Sequence, residues 1–285
     1  MGDILFRPTT QKIDPVADPV YQPAAFSHED EKASAGYYSV ILKEEGIKVE
    51  LTATTHVGMH RYTFPSGKEA SVIIDLAHLL DNEYIYEAVL EQTSANEIAG
   101  MRRTRGWTDN QYVYFVAQFS KPFQSVDFIQ DKKMVPASVK ISGTDLQGVL
   151  TFDTTDGEPV VVKVGLSLVS EKNARMNLEN EVNDFNFDTV HAAARAAWEQ
   201  VLSVITVEGG DTDDLVDFYT AMYHSMVVPN VVSDVNGEYR RHDMQIGQLL
   251  KDKKQYSTFS LWDTFRAWNP LMTLIDTTLV NDMVN

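Results

Sequence analysis

Residues 47–54 read Ile-Lys-Val-Glu-Leu-Thr-Ala-Thr, and this stretch decides the fold class of the first part of the chain. Every second residue from Ile47 to Ala53 is apolar, and lysine, glutamate and threonine stand between them. Because successive side chains of a β-strand point to opposite faces, this two-residue period predicts a strand with one buried face and one face in water. Pro65 and Gly67 follow the next apolar stretch, and they indicate a turn that no helix crosses.

Stretches of the same kind continue to about residue 184, separated by glycine and proline turn signals. Their content of Tyr, Phe and Val is typical of strands, and no convincing helical period interrupts them. The pattern predicts an antiparallel β-sandwich domain over residues 1–184. The further predicted strands are residues 59–64, 70–76, 84–91, 112–119, 137–141, 148–152 and 160–169.

The period changes after the predicted sandwich. From Phe187 to Ile205 the apolar residues are spaced by three and four, which predicts a helical linker over residues 185–208. A second amphipathic helix is predicted from the Asp211 cap through about Val227, and a third has an apolar stripe that begins at Trp268. Three helices with exposed apolar stripes need partners, so residues 209–285 are predicted to be the truncated start of a larger all-α domain.

Composition excludes several classes of protein. The 285-residue chain has no Cys and a net charge of −17. Without Cys there is no disulfide framework, no thiolate zinc site and no Cys nucleophile. A strongly negative chain repels phosphate backbones, and no apolar stretch approaches the ~18 residues of a membrane span. We therefore expect no nucleic-acid partner and no membrane insertion.

The stretch from residue 256 to 274, Tyr-Ser-Thr-Phe-Ser-Leu-Trp-Asp-Thr-Phe-Arg-Ala-Trp-Asn-Pro-Leu-Met-Thr-Leu, is the most unusual in the chain. Trp262 offers an apolar face that could stack on a sugar ring, and Asp263 offers acceptors for paired hydroxyls. Arg266, three residues on, could hold Asp263 in one rotamer if the segment is helical. The alternative is that Asp263 is a helix N-cap and Trp262 a core residue. Spacing alone favours this second interpretation.

Other polar residues have simple structural interpretations. His224 is expected to be a hydrogen-bonded packing histidine, and a metal pair of His56 with His60 is disfavoured because no helix places them on one face. Asp211 and its acidic neighbours suit a helix cap better than a calcium loop. Residues 239–243 are either polar surface or part of the rim of a sugar pocket.

Five separated stretches, taken in order, resemble glycoside hydrolase family 92, the exo-acting α-mannosidases. Residues 256–274 are similar to the signature near the start of the family's catalytic domain. The other four stretches resemble its N-terminal and linker patterns. They are residues 26–40 (Phe-Ser-His-Glu-Asp-Glu-Lys-Ala-Ser-Ala-Gly-Tyr-Tyr-Ser-Val), 51–65 (Leu-Thr-Ala-Thr-Thr-His-Val-Gly-Met-His-Arg-Tyr-Thr-Phe-Pro), 119–123 (Phe-Ser-Lys-Pro-Phe) and 223–230 (Tyr-His-Ser-Met-Val-Val-Pro-Asn).

The resemblance implies an N-terminal β-sandwich joined by a helical linker to an (α/α)6 barrel, whose first helices would be residues 209–285. It also implies calcium-dependent, inverting hydrolysis of terminal α-mannosides of N-glycans or mannan. Trp262 and Asp263 match the family's sugar-binding Trp-Asp pair, and Arg266 matches a supporting residue. The catalytic acid and base, and most Ca²⁺ ligands, are expected beyond Asn285, so the metal ligands in this chain are unknown.

The resemblance also implies that the chain is a fragment, inactive alone. Residues 2–5, Gly-Asp-Ile-Leu, look like an internal strand of the family's β domain, which would place a sugar-site segment upstream of Met1. Export to the periplasm, cell surface or medium is implied in the same way. The competing hypothesis is a carbohydrate-binding module that does not cleave glycans, in which Tyr and Trp residues would line one exposed sheet face.

Overall fold

The computed structural model describes residues 4–17, 20–80, 83–106, 108–135 and 139–284. Within these ranges the first part of the chain folds into two antiparallel sheets, which confirms the predicted sandwich. The strands are β1 (Leu5–Thr9), β2 (Lys32–Ser34), β3 (Tyr37–Leu42), β4 (Ile47–Ala53), β5 (Val57–Thr63), β6 (Ala70–Asp75), β7 (Tyr84–Ser94), β8 (Glu97–Arg105), β9 (Gln111–Phe119), β10 (Phe123–Gln130), β11 (Lys133–Val135), β12 (Lys140–Gly143), β13 (Leu146–Phe152) and β14 (Val160–Ser167).

The larger sheet has the order β12-β7-β8-β9-β14-β5-β4-β3-β2, and the smaller has the order β1-β6-β13-β10-β11. The main core lies between them, where Tyr62, Phe115 and Phe128 are at most 1% exposed. A second apolar cluster lies on the outer face of the larger sheet.

The predicted strand 137–141 falls partly on residues 137 and 138, and the expected strand at residues 2–5 partly on residues 2 and 3. These four residues lie outside the described ones.

Most of the outer face of β4 is buried rather than in water, and this corrects the prediction from residues 47–54; only Lys48 on this face is exposed. Glu50 and Thr52 are 4% and 6% exposed, because the helix α2 (Phe187–Leu202) packs over this part of the sheet. Glu50 accepts hydrogen bonds from the Arg61 guanidinium at 2.8 Å and from the Tyr37 hydroxyl at 2.9 Å. The Arg61 contact lowers the pKa of Glu50 to about 2. The sandwich is thus continued by a helical layer.

A helix that the sequence pattern did not predict follows the last sandwich strand. Helix α1 (Glu171–Glu181) begins at the N-cap Ser170, whose side chain accepts from the Asn173 amide. Its buried stripe is Asn173, Ala174, Asn177 and Leu178. Since half of this stripe is asparagine, the apolar period is missing even though the four-residue spacing is present.

The rest of the chain is helical with one small hairpin. Helix α3 (Thr212–Ser225) is followed by β15 (Glu238–Arg240), β16 (Ile246–Gln248), α4 (Leu261–Thr264), α5 (Trp268–Ile275) and α6 (Thr277–Val284). The predicted third helix is therefore two helices, because Asp276 has a non-helical backbone (φ −144°, ψ 75°). The paired strands β15 and β16 lie in the stretch where the sequence shows no period. In the part of the chain that the structure describes, no helix is long and apolar enough to cross a membrane.

His56, just before β5, connects the sandwich to the end of α1 and to the segment around Ser233. Its Nδ1 lies 2.5 Å from Glu181 Oε1 and its Nε2 lies 2.8 Å from the Ser233 carbonyl. The Glu181 carboxylate also accepts from the Thr54 hydroxyl and from the His56 backbone amide. Both ring nitrogens thus face acceptors, so the imidazolium satisfies both contacts and a neutral ring satisfies only one.

The first expected outcome concerns the close contact between α1 and β14. A Cβ on Gly165 would lie 2.4 Å from the Ala174 carbonyl and 2.6 Å from the Leu178 Cβ. We expect Gly165→Ala to lower the free energy of unfolding by about 1–3 kcal/mol, because α1 must move off the sheet. Gly58→Ala on the neighbouring strand is the control, since its Cβ meets only His60 Nε2 at 3.5 Å. Equal effects of the two substitutions in urea denaturation would contradict this packing.

The second expected outcome is a pH dependence of stability due to His56. Burial lowers the pKa of His56, but the hydrogen bond and charge of Glu181, with smaller effects of Ser233 and Asp234, raise it above its ordinary value overall. Burial raises the pKa of Glu181, yet the bonds from His56 and Thr54 lower it overall. The pKa of His56 is higher in the folded protein than in the unfolded chain. The contribution of His56 to the free energy of unfolding is therefore complete below about pH 6.5 and is lost as pH rises through the folded-state pKa.

The measurement is urea denaturation between pH 5.5 and 8.5, which lies above the lowered pKa of Glu181. We expect His56→Gln to cost about 1–3 kcal/mol at the acidic end, and progressively less as pH rises. The other histidines serve as the internal background, because they are present in both proteins. Parallel stability curves for the wild type and the variant would show that the contact contributes no pH dependence.

Candidate functional site

Trp262 lies on the surface of the described structure. It is the second residue of α4, which has only four residues, and it is 83% exposed. Leu261 and Phe265 beside it are 68% and 56% exposed. The interpretation of Trp262 as a core residue is therefore wrong for the described part of the chain. A large apolar surface of this kind suits contact with a ligand or with further protein.

Asp263 is exposed and lies inside α4, whereas the N-cap position belongs to Ser260. The alternative in which Asp263 caps the helix is therefore wrong. Within the described residues no hydrogen bond or ion pair joins Asp263 to Arg266, and the Arg266 guanidinium lies 5.8 Å from the centre of the Phe265 ring. Because α4 ends at Thr264, the helical spacing that would bring Arg266 back onto Asp263 is not present.

Two contacts hold the segment after α4. The Trp268 indole Nε1 donates to the Ser225 carbonyl at 2.6 Å, which ties α5 to the end of α3. The rings of Phe259 and Trp268 lie 5.3 Å apart, on either side of α4 in the chain. These contacts fix the C-terminal side of the short helix.

The N-terminal side of α4 is held by backbone pairing between residues 230–234 and 255–257. Val231 forms an antiparallel bridge with Tyr256. The Val232 amide donates to the Gln255 carbonyl at 2.8 Å, and the Ser257 amide donates to the Asn230 carbonyl at 2.7 Å. The pairing therefore ends three residues before the N-cap Ser260.

Asp234 anchors this paired segment to the sandwich. It is 5% exposed, and its carboxylate accepts from the Ser167 hydroxyl and from the side-chain amides of Asn173 and Asn177, each at 2.7 Å. Asn177 also accepts from the Val235 amide at 3.0 Å. A buried carboxylate is stable only when such donors surround it. Sequence reasoning missed this cluster, and the four-residue spacing of the two asparagines was the signal that could have found it.

Arg240, the last residue of β15, attaches the β15–β16 hairpin to the end of the sandwich. Its guanidinium donates to the carbonyls of Leu168 at 2.7 Å and Val169 at 3.1 Å, and lies 4.4 Å from the centre of the Tyr112 ring. The residue lies in the stretch that the sequence left open between polar surface and pocket rim. In the structure it fixes the hairpin against the sandwich.

The remaining candidates have structural roles or none. Asp211 accepts from the amides of Asp213 and Asp214 in a capping box, which confirms the cap and not a calcium loop. His224 is exposed, so its prediction as a packing histidine is wrong. His60 Nδ1 lies 2.7 Å from the Tyr62 hydroxyl, and burial lowers its pKa to about 4.

The fit to a calcium ion can be tested on the described residues. They contain no group of three His, Asp or Glu side chains arranged to hold a metal ion. The cluster around Asp234 has every carboxylate oxygen engaged by amide or hydroxyl donors, which is the opposite of a cation site. The described residues therefore contain no cluster of carboxylate and histidine side chains that would hold calcium by itself.

Comparisons with known proteins agree with this architecture. Residues 1–167 match the model of the glycosyl hydrolase family 92 N-terminal domain, and residues 173–285 match that of the family's catalytic domain. The curated relative is an uncharacterized secreted glycosidase of Arthroderma benhamiae, 26% identical over 269 aligned residues that cover 84% of this chain and 33% of that protein.

Solved structures cover nearly the whole chain. The family GH92 α-mannosidase BT3965 from Bacteroides thetaiotaomicron is 32% identical, with a TM-score of 0.92 over 99% of this chain and 39% of that one. The same enzyme has been solved with mannoimidazole. The GH92 glycosyl hydrolase ccman5 is 28% identical, with a TM-score of 0.88 over 99% of this chain and 39% of that one.

This chain spans about two fifths of the length of these solved relatives and a third of the curated one. Both family models match in the order expected from the sequence, and together they cover almost every residue. The chain therefore belongs to glycosyl hydrolase family 92.

Proposed function

We propose that the protein containing this chain is a calcium-dependent, inverting exo-α-mannosidase that acts on terminal α-mannosides of N-glycans or mannan. The observation that supports the proposal most strongly is the exposed Trp262-Asp263 pair, on a fold that superposes with a TM-score of 0.92 on an α-mannosidase. That relative has also been solved with mannoimidazole, a mannose-like ligand by its name. Mannose-containing glycans are the proposed substrates, and the description of the curated relative as secreted supports export.

Trp262 and Asp263 are assigned to binding the terminal mannose. The indole offers an apolar face for the carbon side of a sugar ring, and the carboxylate offers two acceptors for neighbouring hydroxyls. Arg266 is assigned a supporting role through its contact with Phe265. These groups bind and orient the sugar, and no proton transfer is assigned to them.

Inverting hydrolysis needs two carboxyl groups about 6.5–9.5 Å apart, one to protonate the leaving oxygen and one to activate water. We assign neither role to a residue of this chain, and we place both beyond Asn285. Calcium, when bound, would supply positive charge at the sugar hydroxyls. Most of its ligands are also proposed to lie beyond Asn285, in keeping with the lack of a carboxylate and histidine cluster among the described residues.

The alternative of a non-catalytic carbohydrate-binding module has weaker support. It predicts a sheet face with aromatic rings free to stack on sugars. In the structure the Arg103 guanidinium lies 5.0 Å from the centre of the Tyr86 ring and 5.3 Å from that of Tyr112, and Arg240 lies over Tyr112 as well. Because guanidinium groups occupy these ring faces, they do not form an open stacking platform.

A third expected outcome tests the binding pair. Asp263→Ala removes charged hydrogen bonds worth about 1.5–3 kcal/mol, so we expect affinity for mannoimidazole to fall by about 10- to 150-fold. Trp262→Ala is expected to weaken binding similarly through lost apolar contact. Glu208→Ala, at another exposed acidic residue, is the control. Calorimetric titration of the product of the whole open reading frame measures the affinities, and unchanged binding in both variants would refute the assignment.

The fourth expected outcome concerns activity itself. The 285-residue chain and the product of the whole open reading frame are compared for mannose release from α-mannosyl disaccharides, each with calcium and with chelator. We expect release only from the calcium-loaded longer protein, with β-mannose as the first anomer seen by NMR. Activity of the short chain would show that the acid and base lie within it. Inactivity of both on every linkage would favour the binding module.

A further inference from the structure

We propose that Asp234 is a positioning residue, which sets the orientation of Trp262 and Asp263 by fixing the segment before α4 to the sandwich. The inference rests on the proposed function for its effect on sugar binding. Its structural part rests only on contacts within the described residues. Asp234 itself lies outside the binding pair, and no contact between Asp234 and α4 is involved.

The first step is the attachment of Asp234. Its carboxylate receives one donor from the end of β14, Ser167, and two from α1, Asn173 and Asn177. The donors thus come from two elements, the sandwich strand β14 and the helix α1 that packs on it. Asn173 also donates to Glu238 at 2.7 Å, which extends the attachment to β15. Because all these groups are at most partly exposed, the bonds are little weakened by competition from water.

The second step is the connection from Asp234 to α4. Ser233, next to Asp234, accepts from the Gln255 amide through its hydroxyl at 3.1 Å, and its own amide donates to the Gln255 carbonyl at 3.3 Å. Asn230 and Ser257 exchange two further bonds of 2.7 and 3.0 Å. A displacement of residues 230–234 therefore moves residues 255–257, which lead directly into the N-cap of α4.

The third step is that α4 cannot hold its own orientation. A helix of one turn has no independent stability, and its N-cap Ser260 makes no side-chain capping bond. Leu261, Trp262 and Phe265 are mostly exposed, so packing within the described residues contributes little to holding them. The direction of the Trp262 ring is then set by the two ends of the segment. One end is the pairing anchored by Asp234, and the other is Trp268 on Ser225.

The test uses Asp234→Asn, which keeps the size of the side chain but turns one acceptor into a donor that faces other donors. The matched control is Glu97→Gln. Glu97 is 6% exposed and binds Arg175 of α1 at 2.7 and 2.8 Å, so it also ties α1 to the sandwich, yet it does not contact residues 230–257. Ser167→Ala, which removes one donor, is the milder variant in case Asp234→Asn does not fold.

The first measurement is hydrogen exchange in the 285-residue chain, which does not depend on activity. We expect Asp234→Asn to speed exchange of the amides of Asp263 and Phe265, which bond to Ser260 and Leu261. Glu97→Gln is expected to leave them unchanged, and Ser167→Ala to have a smaller effect of the same sign. Equal exchange in Asp234→Asn and Glu97→Gln overturns the inference whether or not the protein binds sugar.

The second measurement is mannoimidazole binding by the product of the whole open reading frame. We expect Asp234→Asn to weaken it about tenfold and Glu97→Gln to leave it within about twofold. In a background that carries both Trp262→Ala and Asp263→Ala, Asp234→Asn should cause no further loss, because its effect passes through the pair. An additive loss in that background overturns the inference. Failure of the wild type to bind refutes the proposed function instead, and the exchange result then decides the positioning role.

Discussion

The buried carboxylate of Asp234 is the constraint on which the arrangement of the second half of the chain depends. A carboxylate that loses its water must find donors for both oxygens, and here they come from Ser167, Asn173 and Asn177. These donors lie on β14 and α1, whereas the acceptor lies some sixty residues later. Satisfying one buried charge therefore brings distant parts of the chain together.

The sandwich thereby is the base to which the segment before α4 is attached. The central strands of its larger sheet are covered by the smaller sheet on one side and by α1 and α2 on the other. Gly165 lets α1 approach β14 closely, and His56 attaches the end of α1 to the same segment that Asp234 holds. The exposed residues of α4 contribute little to their own placement. We therefore infer that the attached segment before α4 sets the direction of the Trp262 side chain.

Much of the fold can be predicted from the sequence, because alternating apolar and polar residues identify a strand directly. The pattern of residues 47–54 predicts strand β4 correctly, but it places the polar face of the strand in water. Glu50 and Thr52 look like surface residues in the sequence, because their partners Arg61 and α2 become visible only in the fold. Helix α1 was missed for the same reason, since its buried asparagines break the apolar period. The family could be identified from motifs, and the proposal that Trp262 and Asp263 bind the sugar comes from the same motifs. The Asp234 cluster was missed because its members are polar and far apart in sequence, and the four-residue spacing of Asn173 and Asn177 was the one signal of it.

The central claim is that the sandwich presents Trp262 and Asp263 to a terminal mannose. A crystal structure of the product of the whole open reading frame with mannoimidazole bound tests it most directly. We predict the ring of mannoimidazole against the Trp262 indole, two of its hydroxyls within hydrogen-bond distance of the Asp263 carboxylate, and Asp234 still held by Asn173 and Asn177. Mannoimidazole bound without contact to Trp262 or Asp263 would contradict the account.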